Sequence, residues 1–481
     1  MKGNMERCQV VCNVLKTQIQ FGFYRFGDVM PSIDNAAADF FVSVDTMRAA
    51  YLQLRREGFV TISTNVGTTV IKNYDKQEIE QNIQMFYAQR KNVLIDLSKS
   101  LRPLLGHAQW IGFQNVPAEI YSSLQQLESS HPLPQLTTFR HVVRAYTALE
   151  NDLLFRLTWQ IFMFCEIPFF NIPDNPWRAF IIKEFSPRSL DCCVKQDWNS
   201  LQKLIYASQD RLSLVLSRFY DDKIILSPPK QEAAFEWNSY NKASQICYSL
   251  AMDLLISINN GIYPADTLLP SLSKLSHEKQ VSVSTVRRAL SLLNGVGATK
   301  SIKRIGTRVL PSHEIAKNCD FKNPMVRKRL LDMAQSLQFL TLSCRSVAEI
   351  TVQALGEDDL LICRNRLADL KHRQRYELIG YAALDLLKCF APYQAIRTVY
   401  KDLLQMLFWG YSLKDIWKTD VDRTSYYRYC FEEFDRFLAE KDALRFSGKL
   451  EELILREFHF TIRVMISQGI HEAEKLLVLG L

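Results

Sequence analysis

Apolar residues recur at helical spacing in two stretches of the chain, and each stretch ends at a glycine. They are Val11, Leu15 and Ile19 before Gly22, and Leu250, Leu254 and Ile258 before Gly261. Side chains four positions apart share one face of a helix, and glycine commonly stands just after the last helical residue. The pattern therefore predicts two amphipathic helices that end at these glycines.

After each glycine the pattern predicts two more helices and a two-stranded wing. Proline suits a first helical turn because its missing N–H would have no partner there, so second helices are expected to begin at Pro31-Ser32 and at Pro270-Ser271. Ser43 and Ser282 are expected to cap third helices. Short strands around a glycine-containing turn follow, at 60–63 and 69–72 and again at 301–302 and 308–309.

The two stretches are copies of one unit, offset by 239 residues without a gap. Of the 49 aligned pairs between 22–70 and 261–309, 15 are identical, whereas unrelated sequences match at roughly one position in sixteen. The chain therefore contains an internal duplication, which has to be recognised before any other interpretation.

Two helices joined by a tight turn, with hydroxyl and basic residues starting the second, are typical of a helix-turn-helix. The N-terminal end of its recognition helix enters the major groove, where short hydroxyl side chains and arginine reach phosphates and base edges. The alternative is that the three helices only pack a core. The predicted DNA interface comprises Ser43, Thr46, Arg48 and Gly67 in the first copy, and Lys274, Ser282, Ser284, Thr285, Arg287, Arg288, Lys303, Arg304, Gly306, Thr307 and Arg308 in the second.

These motifs, at these mutual distances, resemble the GntR family of bacterial winged-helix transcription regulators. The second copy carries Leu269-Pro270-Ser271, the run VSVSTVRRAL at 281–290 and Gly306-Thr307-Arg308-Val309. The first carries Met30-Pro31-Ser32, Glu57-Gly58 and Gly67-Thr68-Thr69-Val70. The resemblance implies two DNA-binding winged helix-turn-helix domains.

Both copies depart from the family's pattern at positions that usually contact DNA. Asp34 and Ser273 stand where members usually carry arginine, although Lys274 can partly substitute in the second copy, and Val44 and Val283 replace another frequent arginine. The second copy also has Val296-Gly297 in place of the usual Glu-Gly.

Charge separates the copies more clearly than the motifs do. Residues 31–70 carry three basic and four acidic side chains, a net charge of −1, whereas 270–309 carry eight basic and one acidic, a net charge of +7. The whole chain is only +8. Because Lys and Arg neutralising phosphates supply most non-specific DNA affinity, we expect the second copy to be the main DNA contact. The first copy then binds weakly or is a protein-contact module.

The rest of the chain predicts a mainly α fold, with each winged helix followed by an all-helical domain. Only 17 of 481 residues are glycine, which favours helices over α/β turns, and 139–164 is among the stretches expected to be helical. The expected domains are 8–75 and 240–311 (winged helices) and 76–235 and 312–481 (helical), with a linker at 226–230. The GntR branch typified by FadR has such a helical domain, which implies small-molecule effector binding and dimerisation.

Composition and motifs point away from catalysis, metals and membranes. No two of the eight histidines are three or four residues apart, as two metal ligands on one helix face would be, so we predict no metal, no cofactor and no catalytic residues, with His141 in the core or at the surface. The aromatic stretch 153–170 is interrupted by Arg156 and Glu166, which argues against a membrane span. Eleven cysteines without a C-x-x-C pair fit reduced thiols, and hence a cytoplasmic protein.

Three functions remain open at this point. The first is a DNA-binding transcription regulator that acts as a homodimer or as an internal pseudo-dimer on double-stranded DNA. The second is a protein-interaction scaffold whose winged helices have degenerated. The third, a pyridoxal-phosphate enzyme like one GntR branch, is disfavoured because the glycine count is low and a winged helix occupies the middle of the chain.

Overall fold

The computed structural model describes residues 2–64, 66–117, 119–121, 134–172, 175–237, 246–413, 421–478 and 480. They form two compact units, Met1–Glu236 and Trp237–Leu481. Each unit is mainly helical and contains one small antiparallel sheet that follows three helices. The predicted fold class is thereby confirmed, with two winged helix-turn-helix domains beside helical regions. The subdivision into four domains stays a prediction.

The first unit begins with the three helices and the wing of the first copy and continues with further helices. Three π-helical turns, Arg102–Gly106, Phe162–Glu166 and Ile181–Phe185, join successive helices. The elements are α1 (Lys2–Gln20), α2 (Ile33–Asp39), α3 (Val44–Arg56), β1 (Val60–Ser63), β2 (Gly67–Val70), α4 (Lys76–Ala88), α5 (Lys91–Leu101), α6 (His107–Gln114), α7 (Pro134–Thr147), α8 (Asp152–Ile161), α9 (Ile167–Phe170), α10 (Pro176–Phe180), α11 (Ser186–Lys195) and α12 (Trp198–Lys223).

The second unit repeats the opening arrangement and then follows a different course. Short 3₁₀ segments lie at Tyr376–Leu378, Leu407–Leu413 and His471–Leu476. The elements are α13 (Ile246–Asn259), α14 (Leu272–Glu278), α15 (Val283–Gly295), β3 (Thr299–Ile302), β4 (Gly306–Val309), α16 (Ser312–Asn318), α17 (Pro324–Ala354), α18 (Glu357–His372), α19 (Ile379–Phe390), α20 (Gln394–Met406), α21 (Val421–Ala439) and α22 (Ala443–Ser467).

The duplication recurs element by element at the same offset of 239. We call 7–70 and 246–309 the first and second heads. Helices α2 and α14, α3 and α15, and all four strands begin and end at equivalent positions. Ser43 and Ser282 cap the recognition helices α3 and α15, as predicted, since each hydroxyl accepts a hydrogen bond from the backbone N–H three residues later.

Each wing is a hairpin with a short third partner. Val60 pairs with Val70 in the first head and Thr299 with Val309 in the second. Bridges from Val29 to Thr69 and from Leu268 to Arg308 add the segment that precedes the second helix. The second strand of each wing therefore runs two residues earlier than predicted, from the glycine itself.

The core of the first head continues into its helical region. Helix α1 packs on α3, with Val11, Leu15 and Met47 fully buried between them. The same apolar cluster includes Phe139 of α7 and Phe162, whose rings stack 3.7 Å apart. The first head is thus built into the unit rather than attached by a free linker.

Polar contacts hold the turn between α2 and α3 against the same helices. Buried Asp39 accepts a hydrogen bond and forms an ion pair with Arg140 of α7. The indole N–H of Trp159 donates to the backbone oxygen of Phe40 at 2.7 Å. These contacts fix α2, and through it the start of the recognition helix.

The second head is held by a different surface. Its recognition helix ends against the chain beyond the wing, where the N–H of Asp320 donates to the oxygen of Gly295 at 2.8 Å. Gly297 lies so close to α16 that a Cβ there would be 2.3 Å from the oxygen of Ile315. Val296 is buried beside it, which explains why the glutamate of the first head, Glu57, has no counterpart here.

One expectation about the helical regions needs correction. The helix expected over 139–164 is interrupted, because Glu150 adopts a left-handed backbone and Asn151 caps a new helix. The predicted linker 226–230 is exposed and irregular, and the boundary between the two compact units, after Glu236, lies between the predicted domains 76–235 and 240–311.

The aromatic stretch 153–170 belongs to the core. The segment Asp152–Phe170 is long and apolar enough to cross a membrane, but 72% of its most apolar window is buried inside the first unit. Trp159 and Phe162 pack on the first head, and Phe169 packs edge-to-face on Tyr87. Its hydrophobicity is therefore that of a core helix.

We predict that replacing Arg140 with alanine loosens the first head. The change removes the guanidinium that pairs with the buried carboxylate of Asp39, and breaking a buried pair in this way costs about 3 kcal/mol. Hydrogen exchange of peptides from 33–56 should accelerate. Glu278→Ala changes the equivalent residue of the second head, which is exposed, and should leave exchange of 272–295 nearly unchanged. Unaltered protection of 33–56 would contradict the inferred role of the pair.

A second prediction compares two equivalent glycines, Gly58 and Gly297, which both have positive φ. Gly58→Ala meets no atom within 4 Å and should cost about 1 kcal/mol for the left-handed backbone alone. Gly297→Ala also meets the Ile315 oxygen, and should cost about 3 kcal/mol. Urea unfolding followed by circular dichroism measures both; equal losses would mean that the contact with α16 is not tight.

Candidate nucleic-acid interface

The first turn of α15 presents a cluster of hydroxyl groups to solvent. The Oγ of Ser282 accepts from the N–H of Thr285 at 3.2 Å and lies 2.8 Å from the hydroxyl oxygens of both Ser284 and Thr285. Ser282 and Ser284 are exposed, and Thr285 is partly so. A helix N-terminus with free N–H groups and mobile hydroxyl hydrogens is suited to an anion such as phosphate.

Two arginines extend this surface along the same helix. Val286, Ala289 and Leu290 face the core, so Arg287 and Arg288 lie on the exposed side. Within the described part of the chain, neither guanidinium is within ion-pair distance of an acidic group. Both are therefore open to an external anion.

Lys274 lies on the first turn of α14. Its N–H donates to the capping Ser271 hydroxyl, and its ammonium is 3.8 Å from the carboxylate of Glu278. Both side chains are exposed, so this pair contributes little and leaves the lysine available.

The tip of the second wing is a tight basic turn. The N–H of Ile305 donates to the oxygen of Ile302 at 3.1 Å, and Arg304 adopts a left-handed backbone with φ of 65°. Lys303, Arg304 and Gly306 are exposed. Neither Lys303 nor Arg304 has an acidic partner among the residues that the structure describes.

Thr307 and Arg308 lie differently from the rest of the predicted interface. Thr307 is buried, with its hydroxyl 3.2 Å from that of Ser301. Arg308 forms ion pairs with Asp266 at 3.0 Å and with Glu314 of α16 at 3.4 Å. Both residues support the wing, and their predicted contacts with DNA stay predictions.

Sequence reasoning missed the residue that ties the wing to the recognition helix. Asn294, near the end of α15, donates to the hydroxyl of Ser301 at 2.8 Å and accepts from Thr299 at 2.7 Å. The equivalent position in the first head is Arg55, so comparison of the copies does not reveal this role. The polar links fix the wing relative to the helix.

The first head keeps the same frame, but the arginine near the start of its recognition helix lies beside an acidic residue. Thr46 is 2% exposed, with its hydroxyl 2.8 Å from that of the exposed Ser43. The guanidinium of Arg48 is 2.7 Å from the carboxylate of Asp45. Gly67 lies exposed in the wing with φ of 90°.

The family comparison agrees with this geometry at both heads. The family described as bacterial regulatory proteins, gntR family, matches residues 9–70 and 249–309. The chain carries two GntR-family winged helix-turn-helix domains. The matched ranges end at the last strand of each wing, and the helical regions lie outside them.

Solved structures also match parts of the chain. They include Streptococcus agalactiae GntR (17% identity, 44% of this chain and 99% of that chain, TM-score 0.21), E. coli McbR/YncC (16%, 44% and 98%, 0.23) and a GntR family member from Pseudomonas syringae pv. tomato (18%, 49% and 92%, 0.21). These TM-scores are too low to support a shared overall arrangement. No curated protein matches the chain.

The two GntR heads differ in how much of the helix-turn-helix is covered. In the first head Asp39 and Phe40, at the turn, are buried against α7 and α8. The equivalent Glu278 and Lys279 of the second head are exposed. The second head therefore has both the more basic surface and the more exposed helix-turn-helix.

Among the residues that the structure describes, no three His, Cys, Asp or Glu side chains converge on a possible ion. His141 is buried, with Nδ1 3.4 Å from the hydroxyl of Ser186, and burial lowers the pKa of its imidazole to about 4. It is thus a neutral core residue at physiological pH.

Proposed function

We propose that this protein is a DNA-binding transcription regulator in which the second GntR head is the main anchor on double-stranded DNA. The observation that carries the proposal is the set of exposed cations on the DNA-facing elements of that head. They are Arg287, Arg288, Lys300, Lys303 and Arg304, and none has an acidic partner among the described residues.

Charge placement decides between the two heads. In the second head, the recognition helix and wing offer cations that can replace the counterions around phosphates. In the first head, the exposed carboxylate of Asp45 lies 2.7 Å from Arg48 and would repel a phosphate there, and the described part of the wing hairpin, 60–64 and 66–70, carries no charge. The first head is therefore a weaker, secondary DNA contact.

The difference between the two heads favours a DNA site whose two half-sites differ in sequence. GntR-type heads in pairs read two half-sites about one helical turn apart. One chain with two heads is an internal pseudo-dimer, and a homodimer would present four. Because Asp45 and Ser284 occupy equivalent positions at the start of the recognition helices, the two half-sites need not have the same sequence.

The helical regions are proposed to bind a small-molecule effector or to dimerise. Support for coupling comes from the first unit, where α7 and α8 share a core with the head and hold its turn through Arg140 and Trp159. A ligand that shifted α7 would therefore move α2 and the recognition helix. We propose further that the protein acts in the cytoplasm and catalyses no reaction.

A matched pair of substitutions tests the assignment of the anchor. Arg287→Ala and Arg48→Ala change equivalent arginines, one with no described acidic partner and one paired with Asp45. Arg287→Ala should reduce the slope of log K against log salt by about 0.9 for the lost phosphate contact, and Arg48→Ala should change it much less. The measurement is binding of the full chain to random-sequence duplex DNA over a salt series.

Either of two results would overturn the proposal in different ways. Equal slopes for the wild type and Arg287→Ala, with a reduced slope for Arg48→Ala, would make the first head the anchor. Absence of binding by the wild type at low salt would remove DNA as the partner and favour the interaction scaffold.

A further inference from the structure

The tip of the second wing carries an exposed aliphatic pair. Ile305 is 63% exposed and Leu268 is 49% exposed. Leu268 lies on the segment that bridges to the wing, and a Cβ on Gly306 would be 3.7 Å from its Cδ2. Leu268 is thus next to Gly306 in space and Ile305 is next to it in sequence, and we call these two exposed side chains the apolar point.

This point is rigidly supported. The turn is closed by the hydrogen bond from Ile305 to Ile302, and its base is fixed by the hydroxyls of Ser301 and Thr307 together with Asn294. Because the backbone of the tip is already ordered, its insertion into a binding partner costs little additional conformational entropy.

The surroundings of the apolar point favour DNA as its occupant. Lys303 and Arg304 directly precede Ile305, and Lys300 lies on the adjoining strand. Cations suit the phosphates that line a minor groove, and an aliphatic side chain between them suits a partly unstacked base step. The charge of the surface is thus complementary to that of a nucleic acid.

We infer that Ile305, backed by Leu268, is a wedge that enters the minor groove from the second wing and bends the DNA. The inference rests on the proposed DNA-binding function and adds a shape-dependent preference to it. Bending is easiest at pyrimidine–purine steps, so the wedge would select such steps without a hydrogen bond to a base.

The first head provides an internal control. Val66 and Val29 occupy the equivalent positions and are 59% and 55% exposed. No lysine or arginine stands between Thr61 and Val70. The same apolar shape therefore occurs there without the charges that would draw it onto DNA.

The test compares bent and linear DNA of one sequence. The full chain is offered a minicircle of about 100 base pairs, shorter than the persistence length of DNA, in competition with the linear duplex. The wild type should prefer the minicircle by about tenfold, since part of the bending energy is already supplied. Ile305→Ala should abolish most of this preference, whereas Val66→Ala should preserve it. Ile305 is exposed, so its replacement should not impair folding.

A charge variant separates the wedge from simple attraction. Lys303→Ala should weaken binding to both DNA forms by the same factor and leave the preference for the minicircle. Equal binding of both forms by the wild type, or a preserved preference in Ile305→Ala, would refute the wedge while leaving the DNA-binding proposal intact. Failure to bind either form would refute the proposed function itself.

Discussion

The buried face of the recognition helix is the constraint on which both heads depend. Met47, Ala50 and Leu54 in the first head, and Val286, Ala289 and Leu293 in the second, are fully buried at equivalent positions. This face packs against α1 in the first head and against α13 in the second. The recognition helix can therefore adopt only one rotation about its own axis. That rotation turns the capped N-terminus and residues 48–49 or 287–288 outward. Function in each head is therefore decided by a few exposed positions on a common frame.

Those exposed positions have diverged together with the way each head is held. The turn of the first head is covered by α7 and α8, and an acidic residue lies beside the exposed arginine of its recognition helix. The second is held at the far end of its recognition helix by α16 and the segment before α17, which leaves the turn, the helix start and the wing open. The duplicated heads share one backbone frame, and the surrounding helices and the surface charges distinguish the proposed anchor from the proposed secondary contact.

Much of each head could be predicted from the sequence because its determinants are local. Ser43 and Ser282 cap the helices that follow directly, and the offset of 239 transfers every strand boundary from one copy to the other. Contacts between distant residues could not be predicted. Arg140 lies 101 positions from Asp39, and Arg308 is engaged by Asp266 and Glu314 outside the wing. The prediction of one continuous helix over 139–164 was wrong because a single residue with a left-handed backbone, Glu150, interrupts an otherwise helical pattern.

The central claim is that the second head, more than the first, lies against DNA. Val44 and Val283 allow a direct comparison, since both are exposed first residues of a recognition helix. A photoreactive phenylalanine analogue at either position of the full chain should report contact by cross-linking to duplex DNA. The account predicts strong cross-linking from position 283 and weak cross-linking from position 44. Cross-linking from position 44 that equals or exceeds that from 283 would contradict it.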